Sequence, residues 1–201
     1  MDSFYTFIGD LLKFFFLLTP FFVLSVFLAM TEDLTPGQRK LLAVRTIFAA
    51  LCVCMILFFF GNLIFKLFGI TLDSFRIGGG ILLLLSAIKL VNGVSDVKTK
   101  QDERDISVVP LAIPITVGPG TTGAILVLGA ETATWEKKFF SCASLVLALF
   151  LLGIVLLSAS LIERFLKKRG IVILSKLTGL ILAALAAQMI FTGIQGFLPA
   201  P

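Results

Sequence analysis

The sequence predicts an all-α integral membrane protein with six transmembrane helices, arranged as two inverted three-helix repeats. Hydrophobic residues make up 58% of the 201 residues and charged residues only 14%, whereas a soluble domain has roughly a quarter of its residues charged. Apolar runs recur that are long enough to cross a bilayer, which takes about 20 residues. Short polar stretches separate these runs along the whole chain.

Five of the apolar runs are nearly continuous, and a sixth, at about 108–130, is interrupted by prolines and glycines. The longest polar stretch falls between the third and fourth runs. We therefore predict a first three-helix repeat at 1–95, a polar cytoplasmic linker at 96–107 and a second three-helix repeat at 108–201. The five nearly continuous runs lie at about 11–30, 43–66, 75–94, 139–161 and 171–197.

The composition excludes several kinds of site. The sequence contains no His, which rules out histidine metal sites and His-based catalytic triads. It also lacks paired deep carboxylates and a plausible Cys or Ser dyad, so we predict no enzyme activity, no catalytic residue, no metal and no cofactor. The net charge of +5 comes from short loops rather than from a basic patch, so we expect no nucleic-acid partner. The expected partners are the lipid bilayer and a small-molecule substrate.

The distribution of Lys and Arg predicts the orientation of the chain. Most of these residues fall in the stretches before the second span, between the third and fourth spans, and between the fifth and sixth spans. The positive-inside rule places that side in the cytoplasm. We therefore expect a multi-pass protein of the cell (inner) membrane with both termini on the non-cytoplasmic side.

The two halves of the sequence resemble each other when one is shifted by about 99 residues. Pro20 then falls on Pro119, Ala87 on Ala186, and Gly80 on Gly179. Because each half has three helices, the second half must enter the membrane from the opposite side. Inverted repeats of this kind are the layout of many secondary transporters, whose substrate site lies at the repeat interface.

Proline and glycine predict broken helices at equivalent depths in the first and fourth spans. The first span contains Thr19 and Pro20, and the fourth contains Gly118, Pro119 and Gly120. A proline inside a helix removes a backbone donor and costs about 3 kcal/mol or more. Unsatisfied backbone at membrane depth is tolerated only beside protein or trapped water. We therefore predict an enclosed polar cavity, and the alternative is a packing kink between closely spaced helices.

The broken fourth helix also predicts a binding chemistry. A half-helix starting near Gly120 offers free N–H groups and a positive dipole end, which suit an anionic group such as a carboxylate. Thr121 and Thr122 add hydroxyls beside it. The predicted substrate-binding residues are Thr19, Pro20, Gly118, Pro119, Gly120, Thr121, Thr122 and Gln188.

Two other features remain in the spans, one polar and one of small residues. Lys89, with Asn92 one turn later, is a candidate intramembrane polar or coupling group. Its alternative is snorkelling of the long side chain to the interface. No acidic residue lies deep in a span, so the coupling ion, proton or sodium, stays open. Gly78–Gly80 and Gly179 are predicted to be places of close helix contact.

These motifs resemble those of the MarC family. Residues 75–89, with their Gly-Gly-Gly and Ser-Ala-Ile-Lys elements, resemble the third-helix signature of that family. Residues 109–120, with Ile-Pro and Gly-Pro-Gly, resemble the fourth-helix signature, and the stretch from Gln188 to Ile194 is similar to the C-terminal helix. The resemblance covers nearly the whole chain. It implies a bacterial or archaeal membrane protein from a family with members that transport small neutral amino acids.

The first helix departs from the family pattern, which usually reads Asn-Pro-x-Gly-x-x-Pro. Pro20 matches, but Thr19 replaces the Asn, Phe22 the Gly and Ser25 the second Pro. The first half of the predicted site is therefore bulkier than the family pattern. This departure implies a shifted substrate or a lost activity as alternatives.

Three functional hypotheses follow. The leading one is a transporter of small neutral amino acids such as glycine or alanine, working by alternating access as one repeat rocks against the other. The second is an exporter or channel for another small metabolite that uses the same cavity. The third is a membrane protein that transports nothing, which a continuous fourth helix packed in lipid would favour. The sequence leaves open whether the protein is a homo-oligomer.

Overall fold

A computed structural model describes residues 2–93, 117–131 and 134–198 of the protein. Within these ranges every regular element is a helix. The predicted linker at 96–107 and the first part of the predicted fourth span, 108–116, lie outside the described residues. The helices are α1 (Asp2–Leu17), α2 (Pro20–Met30), α3 (Pro36–Phe68), α4 (Leu72–Asn92), α5 (Pro119–Glu131), α6 (Trp135–Leu157) and α7 (Ala159–Phe197).

Five stretches of the described chain are long and apolar enough to cross a membrane. One is formed by α1 and α2 together, and the others lie in α3, α4, α6 and α7. The prediction of an all-α, multi-pass membrane protein is therefore confirmed. Helix α5 has 13 residues and is about 20 Å long, too short to cross a hydrocarbon core of about 30 Å. The count of six spans stays a prediction.

Side-chain caps and glycines set the ends of the long helices α3 and α4. At the start of α3, the Thr35 hydroxyl accepts a hydrogen bond from the Gln38 N–H while the Gln38 side chain accepts one from the Thr35 N–H. This is a capping box, which satisfies two backbone donors at once. Gly69 and Gly93 end the two helices with φ of 61° and 72°, a conformation that only glycine adopts without strain.

The prediction of a loop at residues 162–170, between the fifth and sixth spans, is wrong. This stretch is helical, and within α7 only Lys167 leaves the helical region, with φ 54° and ψ 167°. Leu, Arg and Lys are good helix formers, so this charged stretch forms helix instead of a loop. The helix is therefore interrupted at one residue. Helix α3 likewise starts at Pro36, before the predicted start at 43.

Glycines let α4 and α7 pack in close and reciprocal contact. A Cβ on Gly80 would lie 2.6 Å from Ile190 Cγ1 and 3.1 Å from the Ala186 carbonyl oxygen, and a Cβ on Gly179 would lie 3.0 Å from the Ala87 carbonyl oxygen. The predicted close contacts are therefore confirmed at both glycines. At Gly78 the prediction is wrong, because nothing lies within 4 Å of an added Cβ.

The two predicted halves of the chain interdigitate. The extensive helix pairs α4–α7, α4–α5, α3–α5, α1–α6, α2–α7 and α3–α6 each join one helix of the first half to one of the second. Within the described residues, neither half forms a compact block of its own. This packing does not fit the expected rocking of one intact half against the other, because such a motion would disrupt most of the core.

Candidate functional site

The first membrane span is broken at the predicted place. Helix α1 ends at Leu17, α2 begins at Pro20, and Thr19 between them adopts a left-handed conformation with φ 47° and ψ 57°. The Thr19 N–H donates to the Phe16 carbonyl at 2.9 Å, and the Thr19 carbonyl accepts the Val23 N–H at 3.0 Å. The Leu17 carbonyl is thereby released from the helical ladder and needs another donor.

Thr19 is an unusual residue for this conformation. Residues other than glycine rarely have positive φ, and β-branched ones such as Thr are strained there, whereas Asn is enriched several-fold. The family pattern that this segment resembles has Asn at this position. The departure at Thr19 therefore retains the break but places a less suitable side chain in it.

The second predicted break places the start of α5 against the first break. The helix starts at Pro119, and the Thr122 N–H donates to the Gly118 carbonyl at 2.8 Å. The Thr121 hydroxyl donates to the freed Leu17 carbonyl at 3.0 Å, in a buried position. As first-turn residues, Gly120 and Thr121 have backbone N–H groups without a partner inside α5. One hydrogen bond thus joins the end of α1 to the start of α5.

Helix α5 fits tightly between α3 and α4 because both of its faces carry glycine. A Cβ on Gly120 would lie 2.7 Å from Leu83 Cα, and one on Gly123 would lie 3.0 Å from Gly79 Cα, both on α4. On the other side, an added Cβ on Gly129 would collide with the Phe58 carbonyl of α3. Backbone therefore packs against backbone along α5, and the tight contact at Gly120 lies beside the two breaks.

A cavity of about 510 Å³ lies between α1, α4, α5 and α7. At one end it is lined by Lys13, Arg76 and Glu131, and at the other by Leu17 and Leu83. Arg76 and Glu131 keep 18% and 35% of their side chains exposed, whereas Leu17 and Leu83 are 2% and 1% exposed. The cavity therefore opens at the charged end of the bundle, here called the Arg76 end, and buried side chains form its floor within the described residues.

The floor of the cavity lies at the breaks. Leu17 is both a floor residue and the acceptor of the Thr121 hydrogen bond, and Leu83 is both a floor residue and the residue against which Gly120 packs. From Glu131 back to Ala124, the part of α5 that lines the cavity measures about 10 Å. The cavity thus extends from one end of the bundle to roughly the depth of the predicted site.

An ion pair joins two helices at the mouth of this cavity, and a third helix packs against it. Arg76 Nε and Nη2 lie 2.9 and 2.8 Å from Glu131 Oε1, and Arg76 Nη1 pairs with Asp73. The Asp73 carboxylate in turn sits against Gly196 of α7, leaving no room for a Cβ there. The mouth is therefore tied across α4, α5 and α7.

The structure brings only part of the predicted site into the cavity. Gln188 lines it, while Thr19, Pro20, Gly120, Thr121 and Thr122 lie at or below its floor without lining it in the described part of the chain. Thr121 and Pro20 are buried, and Thr19 and Thr122 are half-buried. The proposed binding role of these residues, with that of Gly118 and Pro119, stays a prediction.

Lys89 and Asn92 lie away from the cavity. Both are exposed, and Lys89 is within one turn of the end of α4 that is opposite to Arg76. This position fits the snorkelling alternative better than a cavity-facing one. The coupling role of either residue stays a prediction.

Sequence reasoning missed Arg76 and Glu131 as parts of the site. They are 55 residues apart, and each alone is an ordinary charge near the end of a span. A signal was available, because the predicted topology places the start of the third span and the end of the fourth on the same side of the membrane.

Comparisons with known proteins give a consistent result over almost the whole chain. Residues 4–198 match the family described as MarC family integral membrane protein. A UPF0056 membrane protein of Methanocaldococcus jannaschii is 38% identical over 191 residues, covering 92% of this chain and 93% of the relative. The UPF0056 membrane protein YhcE of Escherichia coli is 34% identical, covering 92% and 90% of the two chains. No solved structure matches the chain significantly.

Proposed function

Because the chain belongs to the MarC family of integral membrane proteins, we propose that it is a secondary transporter of small neutral amino acids such as glycine and alanine. The names of the relatives specify a membrane protein and no solute. The observation that carries the proposal is a cavity that opens at one end of the bundle and closes at a helix break. A solute site reachable from one side at a time is what a carrier needs.

The size and lining of the cavity support a small organic solute. Its volume of about 510 Å³ lies within the range of roughly 300–1,000 Å³ found for small-molecule pockets. The lining is mostly apolar, with a few polar groups such as Gln188 and Thr192. Such pockets use the apolar wall for affinity and the few polar groups for orientation.

We assign the solute carboxylate to the start of α5, below the present floor. The first-turn N–H groups of Gly120 and Thr121 are unpaired within the helix and lie at its positive dipole end. Gly118 and Pro119 shape this turn, and Thr122 adds a hydroxyl. A solute descending from the cavity reaches this turn when the contact between Gly120 and Leu83 opens. Thr19, Pro20 and Gln188 complete the site in this proposal.

The reciprocal glycine contacts support the inverted-repeat arrangement. Gly80 packs against the Ala186 carbonyl and Gly179 against the Ala87 carbonyl. The shift of about 99 residues that relates the two halves converts one of these contacts into the other. A pseudo-two-fold axis through the α4–α7 pair explains this reciprocity. Because the halves interdigitate, the unit that moves during alternating access takes helices from both of them.

The proposed setting is the inner membrane, with the Arg76 end outside the cytoplasm. The contacts near the two ends of the chain support a placement of both termini on the same side of the membrane. Helix α1 lines the cavity mouth through Lys13, and α7 approaches Asp73 through Gly196 near its end. The basic residues Arg39, Lys40 and Arg164 lie toward the opposite end of the bundle, where the positive-inside rule places the cytoplasm. We propose no catalytic role for any residue.

Uptake by proteoliposomes tests the proposal. Purified protein reconstituted with labelled glycine or alanine outside is expected to accumulate label above the level of empty liposomes, and an excess of unlabelled solute should abolish the signal. Flux indistinguishable from empty liposomes across a panel of amino acids, in both directions, would contradict it.

An exporter or channel for another small metabolite is the second candidate. The apolar walls contributed by Leu17, Val127 and Met189 suit a solute without charges. The same liposomes, loaded with such solutes, distinguish the two functions. The second candidate also predicts that replacing Thr121 and Thr122 by Val leaves the flux unchanged.

A further inference from the structure

The ion pair between Arg76 and Glu131 stands where a solute must pass. Both residues line the cavity at its open end, and their pair connects α4 of the first half to α5 of the second. Within the described residues, the other ion pairs, Lys13–Asp10 and Arg76–Asp73, join residues of one helix. The Arg76–Glu131 pair is therefore an electrostatic connection across the mouth.

We propose that this pair is a latch that a zwitterionic solute releases by exchange. In the exchange, the solute carboxylate takes the place of the Glu131 carboxylate on Arg76, and the solute ammonium takes the place of the Arg76 guanidinium on Glu131. The inference rests on the proposed function, since it specifies how the same cavity admits and selects its solute. It adds a binding position at the cavity mouth to the deeper site at the start of α5.

The need to replace both partners makes this exchange selective. The side chains of Arg76 and Asp73 are 18% and 27% exposed, and that of Glu131, at the open mouth, is 35% exposed, so the network is only partly shielded from water. Separating these charges without replacing the partners gives up the two charge-assisted hydrogen bonds between Arg76 and Glu131, which are stronger than hydrogen bonds between neutral groups. A solute with both charges replaces both partners at once. A solute with one charge leaves either Arg76 or Glu131 unpaired, and an uncharged solute leaves both unpaired.

The geometry leaves Arg76 able to receive a second carboxylate. A guanidinium has five N–H donors in a planar fork, and the two contacts with Glu131 converge on the single oxygen Oε1. Nη1 is turned to Asp73, which is held against Gly196 on α7. Asp73 therefore keeps Arg76 at the mouth while Glu131 is exchanged, so the guanidinium need not enter the apolar part of the cavity.

The test compares solutes in the uptake assay with the full-length protein. Labelled glycine uptake is measured in competition with glycine, a zwitterion, with glycinamide, a cation, and with N-acetylglycine, an anion. The wild type is expected to be inhibited by unlabelled glycine and at least ten-fold less by the other two. The variants are Arg76→Gln, Glu131→Gln, the double neutral variant Arg76→Gln/Glu131→Gln, and the control Lys66→Gln. Lys66 is exposed, ends α3 near the Arg76 end and does not line the cavity.

Each single variant leaves one charge at the mouth without its partner, so we expect glycine uptake to fall at least ten-fold. The double neutral variant has no latch, so we expect it to recover part of the flux and to lose its preference for the zwitterion over the other two competitors. Lys66→Gln should behave as the wild type. A thermal-stability measurement in detergent identifies any variant that fails to fold, and if Arg76→Gln does not fold, the comparison of Glu131→Gln with the double neutral variant and Lys66→Gln carries the test.

The outcomes separate the latch from the function it serves. Wild-type uptake together with a double variant that keeps the wild-type preference overturns the latch and leaves the transporter proposal intact. Glycine uptake by the single variants equal to that by Lys66→Gln would likewise overturn the latch and leave the transporter proposal intact. Absence of any amino acid flux in the wild type overturns the proposed function, and the latch with it.

Discussion

The break in the first span and the predicted second break, at the start of α5, lie side by side but are built differently. The first break, at Thr19, carries a residue with positive φ and is flanked by Pro20 and bulky phenylalanines. The second, at the start of α5, consists of small residues, and its backbone approaches that of α4 so closely that a Cβ on Gly120 would lie 2.7 Å from Leu83 Cα.

This difference teaches how a break can be kept inside a membrane protein. The first break supplies a free acceptor, the Leu17 carbonyl, and the second supplies the donor, the Thr121 hydroxyl, at 3.0 Å. The residues at the start of α5 must be small because the backbone of α5 packs directly against that of α4. The span that contains the first break is the most buried of the five, at 56% against 28–39% for the others, so its open backbone is shielded from lipid.

The largest effect is expected from adding bulk to the second break. Gly120→Ala places a methyl group against backbone atoms of Leu83 that cannot move independently. Overpacking typically costs about 1–3 kcal/mol, occasionally more, and because three backbone atoms of α4 lie in the way we expect a cost of about 3 kcal/mol or more and a fall of several degrees in the melting temperature in detergent. Gly78→Ala is the matched control, since nothing lies within 4 Å of a Cβ there, and its melting temperature should not decrease. Equal melting temperatures of the two variants would show that the contact at Gly120 is not tight.

A smaller effect is expected from cutting the hydrogen bond that joins the breaks. Thr121→Val keeps the shape but leaves the Leu17 carbonyl without its donor, which costs about 1–3 kcal/mol for a buried polar group. Thr121→Ser, which retains the hydroxyl, should recover most of the loss in a thermal unfolding experiment. Thr122→Val should have a smaller effect than Thr121→Val, because Thr122 is less buried. An unchanged unfolding temperature for Thr121→Val would show that the Thr121–Leu17 hydrogen bond does not contribute to stability.

The smallest effect is a gain at the first break. Thr19→Asn introduces a residue that tolerates positive φ, so part of a strain of about 1 kcal/mol should be relieved. We expect a small rise in melting temperature, with Thr19→Val as a control that keeps the β-branch and gains nothing. A destabilised Asn variant would mean that the Thr19 side chain contributes more through packing than it loses through strain.

Local rules made the breaks and most helices predictable from sequence. The loss of a donor at Pro20 and the special backbone of glycine act within a few residues, so the break at Thr19–Pro20 and a helix start near Gly120 could be identified without tertiary information. The close contacts of Gly80 and Gly179 followed from the same reasoning. Charge was less informative, since Arg164 and its neighbours were taken for a loop and are helical.

Features that depend on how helices pack were beyond the sequence. The cavity is formed by four helices from both halves, and its position depends on which faces meet. Arg76 and Glu131 become a pair only in the folded bundle, and Thr121 was expected to face a solute, yet its hydroxyl donates to Leu17. The interdigitation of the halves was missed for the same reason, because a repeat in sequence says nothing about which helices of the two copies touch.

The one-sided cavity is tested most directly by cysteine labelling in oriented membrane vesicles. The native Cys52, Cys54 and Cys142 are replaced by alanine, and single cysteines are placed at Gln188, which lines the cavity, and at Thr178, which is buried on the same helix. Without solute, a membrane-impermeant maleimide should label position 188 from the Arg76 face only, while position 178 stays unlabelled from either face. Added glycine should slow labelling at 188 from that face. Equal labelling of position 188 from both faces, with or without solute, would contradict a cavity closed at the breaks.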